Sequence, residues 1–461
     1  MAQRVPRVIV VGCGFGGLHA VRALAHAPAE VLIIDHNNYH LFQPLLYQVA
    51  SAALTSSEIT RPIRSIVHKQ RNAYVLLGEV QRVSLAERCV YVGNDAIGYD
   101  YLILAPGSVD NYFGHDEWAA CAPGMKSVEA AMRIRSRLLL SFEAAEVEAD
   151  PDEQMAHLTF AIIGGGPTGV ELSGAIKQLA VDAVPQDFRV ANTRQSRVVL
   201  IEAGSRLLPG FHPDSSARAL RQLQDLGVEV MLGRRVTSIS PDGVEIGDER
   251  LRSYNVIWAA GVRAAPVVAS LGVATGPGGR VKVESDCSIP GHPEAFVIGD
   301  AAYLQEPNGE PVPGVSEGAI QMGGLAARII CAELAGSTAP RTPGFHYRDL
   351  GSMATIGRSR AVAEVGPFRF GGLLAWLAWL GLHITVLVGF RNRLAVLSSW
   401  TYNYFFFQRG ARLITDAHPE PVKRLAPCGQ PLDTYPRGQD VEATRRESTS
   451  DGGVAIAPRR Q

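Results

Sequence analysis

RVIVVGCGFGG, residues 7–17, with EVLIID at 30–35, decides the fold. RVIVV is a short β-rich run. Gly12, Gly14 and Gly17 then fit the spacing GxGxxG, LHAVRALAHA (18–27) is helical in composition, and EVLIID is a second strand ending on Asp35. The stretch reads as a βαβ unit whose strands are buried on both faces. The first glycine permits the tight turn, the second lets a pyrophosphate approach the backbone, and the third lets helix and strand pack closely. The helix N-terminus offers free N–H groups and partial positive charge to phosphates. Asp35 lies eighteen residues past Gly17, near the spacing expected for gripping a ribose hydroxyl.

The pattern recurs in LTFAIIGGGPTGVELSGAIKQLA (158–180) and SRVVLIEAG (196–204), with Gly164, Gly166 and Gly169 as the second fingerprint and Glu202 as its acid. Glu202 is thirty-three residues past Gly169, and an extra connection through Pro185 and QDFRVANTRQSR accounts for the length. An acid there favours the free 2′-hydroxyl of NADH over the 2′-phosphate of NADPH, while nearby Arg206 weighs the other way. Two fingerprints imply two dinucleotides, a tightly held flavin and an exchangeable nicotinamide. Three further runs look like returning strands: YDYLILAPGS (99–108), YNVIWAAGV (254–262) and EAFVIGDAA (294–302). Gly299 and Asp300 suit a second contact of the first unit, with the carboxylate accepting a ribityl hydroxyl and a following helix end facing the phosphates. This order favours FAD in the first unit. The alternative role for Asp300 is a helix cap.

Bulk properties narrow the class. The chain has 461 residues, enough for two or three domains. A net charge of -1 gives no electrostatic case for nucleic acid. Six cysteines occur without a close pair, which argues against a disulfide framework or zinc site, so no metal is expected. The apolar run Val8–Val11 is too short for a signal-peptide core.

One segment does not fit a soluble nucleotide-binding enzyme. GGLLAWLAWLGLHITVLVGFRNR (371–393) carries no charge in its first twenty residues. As one helix of about 1.5 Å per residue it would span roughly 30 Å, the thickness of a bilayer core. Leu373, Leu377, Leu380, Ile384 and Leu387 form an aliphatic stripe, and Trp376, Trp379 and His383 share another face suited to an interface. LAVLSSWTYNYFFF (394–407) follows at once. Two apolar segments lying in a leaflet, with Arg391 and Arg393 reaching lipid phosphates, suit a monotopic protein. A buried dimer helix is the alternative. Deleting residues 371–408 is then expected to release a folded flavoprotein from the membrane.

With the two fingerprints, the LAPGS and AAGV turns and the VIGD strand, the sequence resembles the two-dinucleotide flavoprotein reductases. More narrowly, NYHLFQPLLYQVASAAL (38–54) and HITVLVGFRNRLAVLSSWTYNYFFFQRGARLI (383–414) resemble the type II NADH:quinone oxidoreductases, single-subunit respiratory enzymes that pump no protons. The resemblance implies an α/β fold of two Rossmann-like domains, the second inserted into the first, and a C-terminal apolar helical region. The expected divisions are 1–125 and 276–370 for FAD, 155–275 for NADH, 371–414 for membrane association, and 415–461 as a disordered tail. It places FAD against Gly12, Gly14, Phe15, Gly16, Gly17, Asp35, Gln43, Pro44, Leu45, Ala105, Gly107, Gly299 and Asp300. It places NADH against Gly164, Gly166, Thr168, Gly169, Glu202, Ala260 and Gly261. Glu171 matches a family carboxylate near where nicotinamide meets flavin; as a bare sequence feature it could equally be a first-turn acid complementing the helix dipole. The family often carries AQxAxQ beside flavin and quinone. Here Ser316-Glu317-Gly318-Ala319-Ile320-Gln321 keeps Ala319 and Gln321 but puts Glu317 in place of glutamine. Glu171, Glu317 and Gln321 are the candidates for quinone contact or proton delivery. Menaquinone or ubiquinone as acceptor, a homodimer, and the cytoplasmic face of the inner membrane are further expectations.

Two rivals share this architecture. A sulfide:quinone oxidoreductase needs redox cysteines, for which Cys121 and Cys287 are the candidate pair, neither with a supporting motif. A membrane-associated NADH-binding sensor would keep both fingerprints but not turn over.

Overall fold

The computed structural model describes residues 4–307, 309–341, 343–406 and 409–414. The expected tail, 415–461, lies outside the described residues.

The first glycine unit forms as β1 (Arg7–Val11), α1 (Phe15–Ala23) and β2 (Glu30–Asp35), followed by β3 (Ala73–Leu77) and β4 (Tyr101–Leu104). The second forms as β5 (Thr159–Ile163), α2 (Pro167–Gln178), β6 (Arg197–Glu202), β7 (Val228–Leu232) and β8 (Asn255–Trp258). The chain then returns through β9 (Ser288–Ile289), β10 (His292–Val297) and α3 (Ser316–Leu334). A three-stranded sheet, β11 (Ser352–Gly357), β12 (Arg360–Val365) and β13 (Phe368–Gly371), precedes two helices, α4 (Leu373–Val386) and α5 (Phe390–Phe406).

The first sheet has the order β9-β10-β4-β1-β2-β3, parallel but for the antiparallel edge strand β9, and the second, β7-β6-β5-β8, is parallel throughout. Because β10 pairs with β4, the second sheet is an insertion between neighbouring strands of the first. Gly299 and Asp300 therefore sit at the same sheet end as the first glycine turn, which is where ligands bind in open α/β sheets. The continuous apolar runs foretold burial on both faces, and β1, β5 and β6 are almost wholly buried.

The C-terminal region departs from expectation. The apolar run does not make one bilayer-length helix. Leu387, Val388 and Gly389 break it, with Gly389 at φ +101° packed against the Arg61 guanidinium. No helix among the described residues is long and apolar enough to cross a membrane. The aromatic face turns inward: Trp379 is 3% exposed, tilted against Trp400 and stacked on His383. The outward surface holds Leu373, Leu374, Leu377, Leu382 and Phe390 instead. Arg393 does not reach outward either. Its guanidinium donates to Leu387 O at 2.8 Å and Thr385 O at 2.6 Å, satisfying carbonyls at the end of α4. Arg391 remains exposed.

Candidate functional site

The two glycine turns repeat one geometry. Gly12 has φ +87° and Gly164 φ +112°, which glycine adopts without steric cost. A Cβ on Gly12 would stand 2.2 Å from Ala105 O, and one on Gly164 2.5 Å from Ala259 O. The third glycines pack helix on strand: a Cβ on Gly17 would meet Gly12 O at 1.9 Å, and one on Gly169 would meet Gly164 O at 1.8 Å. The middle glycines, Gly14 and Gly166, face open space. The arrangement leaves room at the positions where a pyrophosphate approaches the backbone, and packs protein against every other glycine of the pair of motifs.

The two acids repeat as well. Asp35 accepts the Cys13 N–H at 2.6 Å and the Asn37 N–H at 2.7 Å. Glu202 accepts the Gly165 N–H and the Gly204 N–H, each at 2.5 Å. Each carboxylate is thus fixed at the end of its strand with lone pairs left over for ribose hydroxyls. Arg206 does not oppose Glu202. Its guanidinium donates to Phe211 O, Ser216 Oγ and Pro209 O, so it is committed to its own loop.

Asp300 is not a helix cap; its Oδ2 accepts from Ser108 Oγ at 2.6 Å and lies 4.0 Å from Lys126 Nζ. This bond joins the LAPGS turn to the VIGD strand. The N-terminus of α3 comes to the same place, since a Cβ on Gly16 would meet Ala319 O at 2.9 Å and one on Gly299 would meet Ala319 Cβ at 3.0 Å. Gly16 and Gly17 are buried by protein and serve packing, whereas Gly14, Phe15 and Gly107 remain accessible. Leu45 is a correction: it is fully buried in the core beneath the Gln43–Leu45 turn, so its side chain cannot meet a cofactor. Gln43 and Pro44 are partly exposed there, as are Ala260 and Gly261 at the other turn, and Thr168 is exposed at the start of α2.

The carboxylate candidates do not converge on one pocket. Glu171 lies in a cleft of about 850 Å³, its open mouth included, with Tyr47, Gln48, Trp379, Trp400 and Arg409 among its walls. Its carboxyl accepts the Thr355 N–H at 3.3 Å, and burial raises its pKa to about 8 from an ordinary 4.5. At neutral pH it is therefore mostly protonated. Glu317 sits in the first turn of α3, near Tyr347, its pKa also raised by burial. Gln321 lines a separate groove, and both ends of its amide are used on the Arg348 backbone, each at 2.9 Å.

Several cleft residues carried no sequence signal. Tyr47 and Gln48 lie within the quoted 38–54 run but nothing in their spacing singles them out. Gln48 donates to Tyr47 Oη at 2.9 Å and accepts from Trp400 Nε1 at 2.7 Å. The Trp379 indole nitrogen is buried in the cleft wall without a hydrogen-bond partner. His383 stays neutral, its pKa pulled down by burial to about 4. Cys121 and Cys287 are free thiols in different apolar clusters, and burial raises the Cys287 thiol.

Comparison with known proteins agrees with this geometry. The profile for pyridine nucleotide-disulphide oxidoreductases matches residues 6–323, and that for the NDH2 C-terminal domain matches 350–409. Two proteins of Mycobacterium tuberculosis, the type II NADH:quinone oxidoreductases Ndh and NdhA, are each 42% identical over 89% of this chain; the match covers 90% and 89% of their lengths. Among solved structures, NDH2 from Plasmodium falciparum in complex with NADH superposes with a TM-score of 0.81 at 20% identity, over 90% of this chain and all of that one. A sulfide:quinone oxidoreductase of Aquifex aeolicus shares the fold at a TM-score of 0.67 and 17% identity, over 87% of this chain and 96% of that one. On sequence identity across nine tenths of its length, the chain belongs to the type II NADH:quinone oxidoreductases.

Proposed function

We propose that this chain oxidises NADH with FAD as resident cofactor and a quinone as electron acceptor, with the quinone headgroup reduced in the Glu171 cleft. The observation that carries the reading is that cleft: a protonated carboxyl, aromatic walls, and an opening among the C-terminal apolar helices. Bound FAD supplies the two-electron carrier between a hydride donor and a quinone. The open Gly14 and Gly107 positions, Asp35 and Asp300 fit such a group in the first unit; Gly166, Thr168 and Glu202 fit NADH in the second.

The protein's own part is positional and protonic. Glu171 holds a proton near neutral pH and delivers it to a quinone oxygen. Tyr47 and Gln48, tied to Trp400, orient the headgroup. Trp379 and Trp400 exclude water from one wall. Glu317 stands by the first-unit site rather than in this cleft, as a second proton holder. Anaerobic titration tests the reading: the yellow protein should bleach with NADH and recover its colour with a menaquinone or ubiquinone analogue. Bleaching without recovery would instead favour a sensor.

The exposed faces of α4 and α5 carry Leu374, Phe390, Leu394, Phe405 and Phe406, a continuous apolar surface suited to lying in a leaflet. This surface supports a peripheral enzyme held at the membrane; the cytoplasmic face is the side the sequence leads one to expect. The homodimer expected from the resemblance must then use an interface that leaves these side chains outside. Vesicle flotation and sedimentation in detergent test the two points separately.

A further inference from the structure

The cleft runs along one stripe of α2 that the reaction above does not use in full. Glu171, Ala175, Gln178 and Asp182 all line it. They are spaced four, three and four residues apart, which puts them on one helix face over about 16 Å. Glu171 lies at one end of the stripe, part-buried. Asp182 is exposed at the outer end, where the helix loosens into a π-turn, Leu179–Ala183, closed by the Val184 N–H on Leu179 O. Such turns are common at functional sites and re-aim the side chains they carry.

The opposite wall supplies a cation. Arg409 donates to Ser51 O at 2.6 Å and feels both Asp182 and Tyr47 electrostatically, so it lies between the mouth and the interior. Tyr47 in turn feels Glu171 on one side and Arg409 on the other. The remaining charged or titratable groups on the walls are Arg358, in the β11–β12 turn, and Tyr404 on α5, while around the Asp182 turn Arg194 donates to Val181 O and Arg412 to Ala183 O, Arg412 also pairing with Asp187. Asp182 is thus the exposed member of this group, Arg409 and Glu171 are part-buried, and Tyr47 is buried.

We propose that this stripe is the route by which Glu171 is reprotonated, with Asp182 as the proton-collecting residue at its mouth. The proposal rests on the cleft being the quinone site. The reaction NADH + H⁺ + quinone → NAD⁺ + quinol takes one proton from solution per turnover. The Glu171 O–H bond breaks as an O–H bond forms on quinone oxygen. The carboxylate left behind regains its proton from water relayed past Gln178 from Asp182. Arg409 keeps its own proton and contributes positive charge to the cleft wall, where it acts on Asp182 and Tyr47. Asp182 thus acts through Glu171 and is a positioning residue, not a catalytic one.

The test is the pH profile of kcat with a short-chain quinone in detergent, for wild type, Asp182→Asn, Asp182→Glu and Glu171→Gln. With the collector lost, reprotonation limits turnover where protons are scarce. Asp182→Asn should lose about tenfold in kcat near pH 8.5 and about twofold or less near pH 6, and Asp182→Glu should restore the wild-type curve. Stopped-flow reduction by NADH shows that the folded flavoprotein is intact in each variant. An Asp182→Asn curve parallel to wild type at every pH, with Glu171→Gln impaired, overturns the route and leaves the quinone-site reading standing. A Glu171→Gln enzyme with the wild-type alkaline limb overturns both.

Discussion

The Trp400 indole N–H donates to Gln48 Oε1 at 2.7 Å, joining residues 352 positions apart. It is one of a row of contacts between α5 and the 48–60 segment. Asn392 donates to Glu58 O and Thr60 O, each at 2.9 Å, Ser399 to Glu58 Oε1, and Asn403 to Ala53 O. The apolar C-terminal helices are therefore a wall of the site, not an appended anchor. Deleting residues 371–408 should expose the core on which Trp379 and Val396 pack and remove the cleft wall built by Trp376, Trp379, Leu380, Trp400, Asn403 and Tyr404. The expected product is aggregated or inactive toward quinone, in contrast to the released flavoprotein anticipated from sequence. Solubility and quinone reductase activity of the truncated chain check this. Trp400→Phe, which removes one hydrogen bond, should cost about 1 kcal/mol of stability by thermal denaturation.

Glu171 gives the protein a pH signature. Burial holds its pKa at about 8 in the folded chain, against an ordinary 4.5. The folded state keeps a proton that the unfolded chain releases, so stability falls as pH rises through that window. The loss is absent below pH 4.5 and complete above pH 8. Glu171→Gln cannot lose this proton. Its stability relative to wild type should rise with pH across the same range, while its quinone reduction falls. Denaturant midpoints measured across the window would show it.

Glu202 should set the preference for NADH. Its carboxylate closes on the Gly165 and Gly204 N–H groups, where a 2′-phosphate would meet repulsion. Glu202→Gln should lower kcat/KM for NADH about tenfold and raise relative use of NADPH. Arg206, held by three acceptors of its own loop, should give little added NADPH affinity in that variant. Steady-state kinetics with both nucleotides decides it.

Gly174 should tolerate no side chain. A Cβ there would stand 1.7 Å from Ile356 O, where α2 lies on β11. Gly174→Ala should cost about 3 kcal/mol, through displacement of the strand that presents Thr355 to Glu171. Thermal melting and the quinone rate should fall together.

Gln321 is tied to the Arg348 backbone in a groove apart from the Glu171 cleft. Gln321→Leu leaves the Arg348 amide and carbonyl without their partners and should cost about 1–3 kcal/mol. Its effect on quinone reduction should be smaller than that of Glu171→Gln. Stopped-flow reoxidation of the reduced flavoprotein compares the two variants.

The sequence by itself determined both glycine turns, their acids and the return of the VIGD strand to the first sheet. These are local in origin: GxGxxG spacing, an apolar run and a terminal acid are read within thirty to forty residues, and backbone sterics demand glycine at Gly12 and Gly164 whatever the rest of the chain does. Tertiary structure alone decided the cleft. Tyr47 comes from one end of the chain and Trp379, Trp400 and Arg409 from the other, and although spacing puts Trp379 on a shared helix face, nothing in the sequence brings these regions together. The same distance in sequence explains the misplaced tryptophans. An apolar helix shows which residues it must bury, but the side that meets protein is set by its partner, here Gln48 and the 48–60 segment. Leu45 fell into the core for the same reason: residue type can nominate a contact, while only packing decides whether that side chain is reachable.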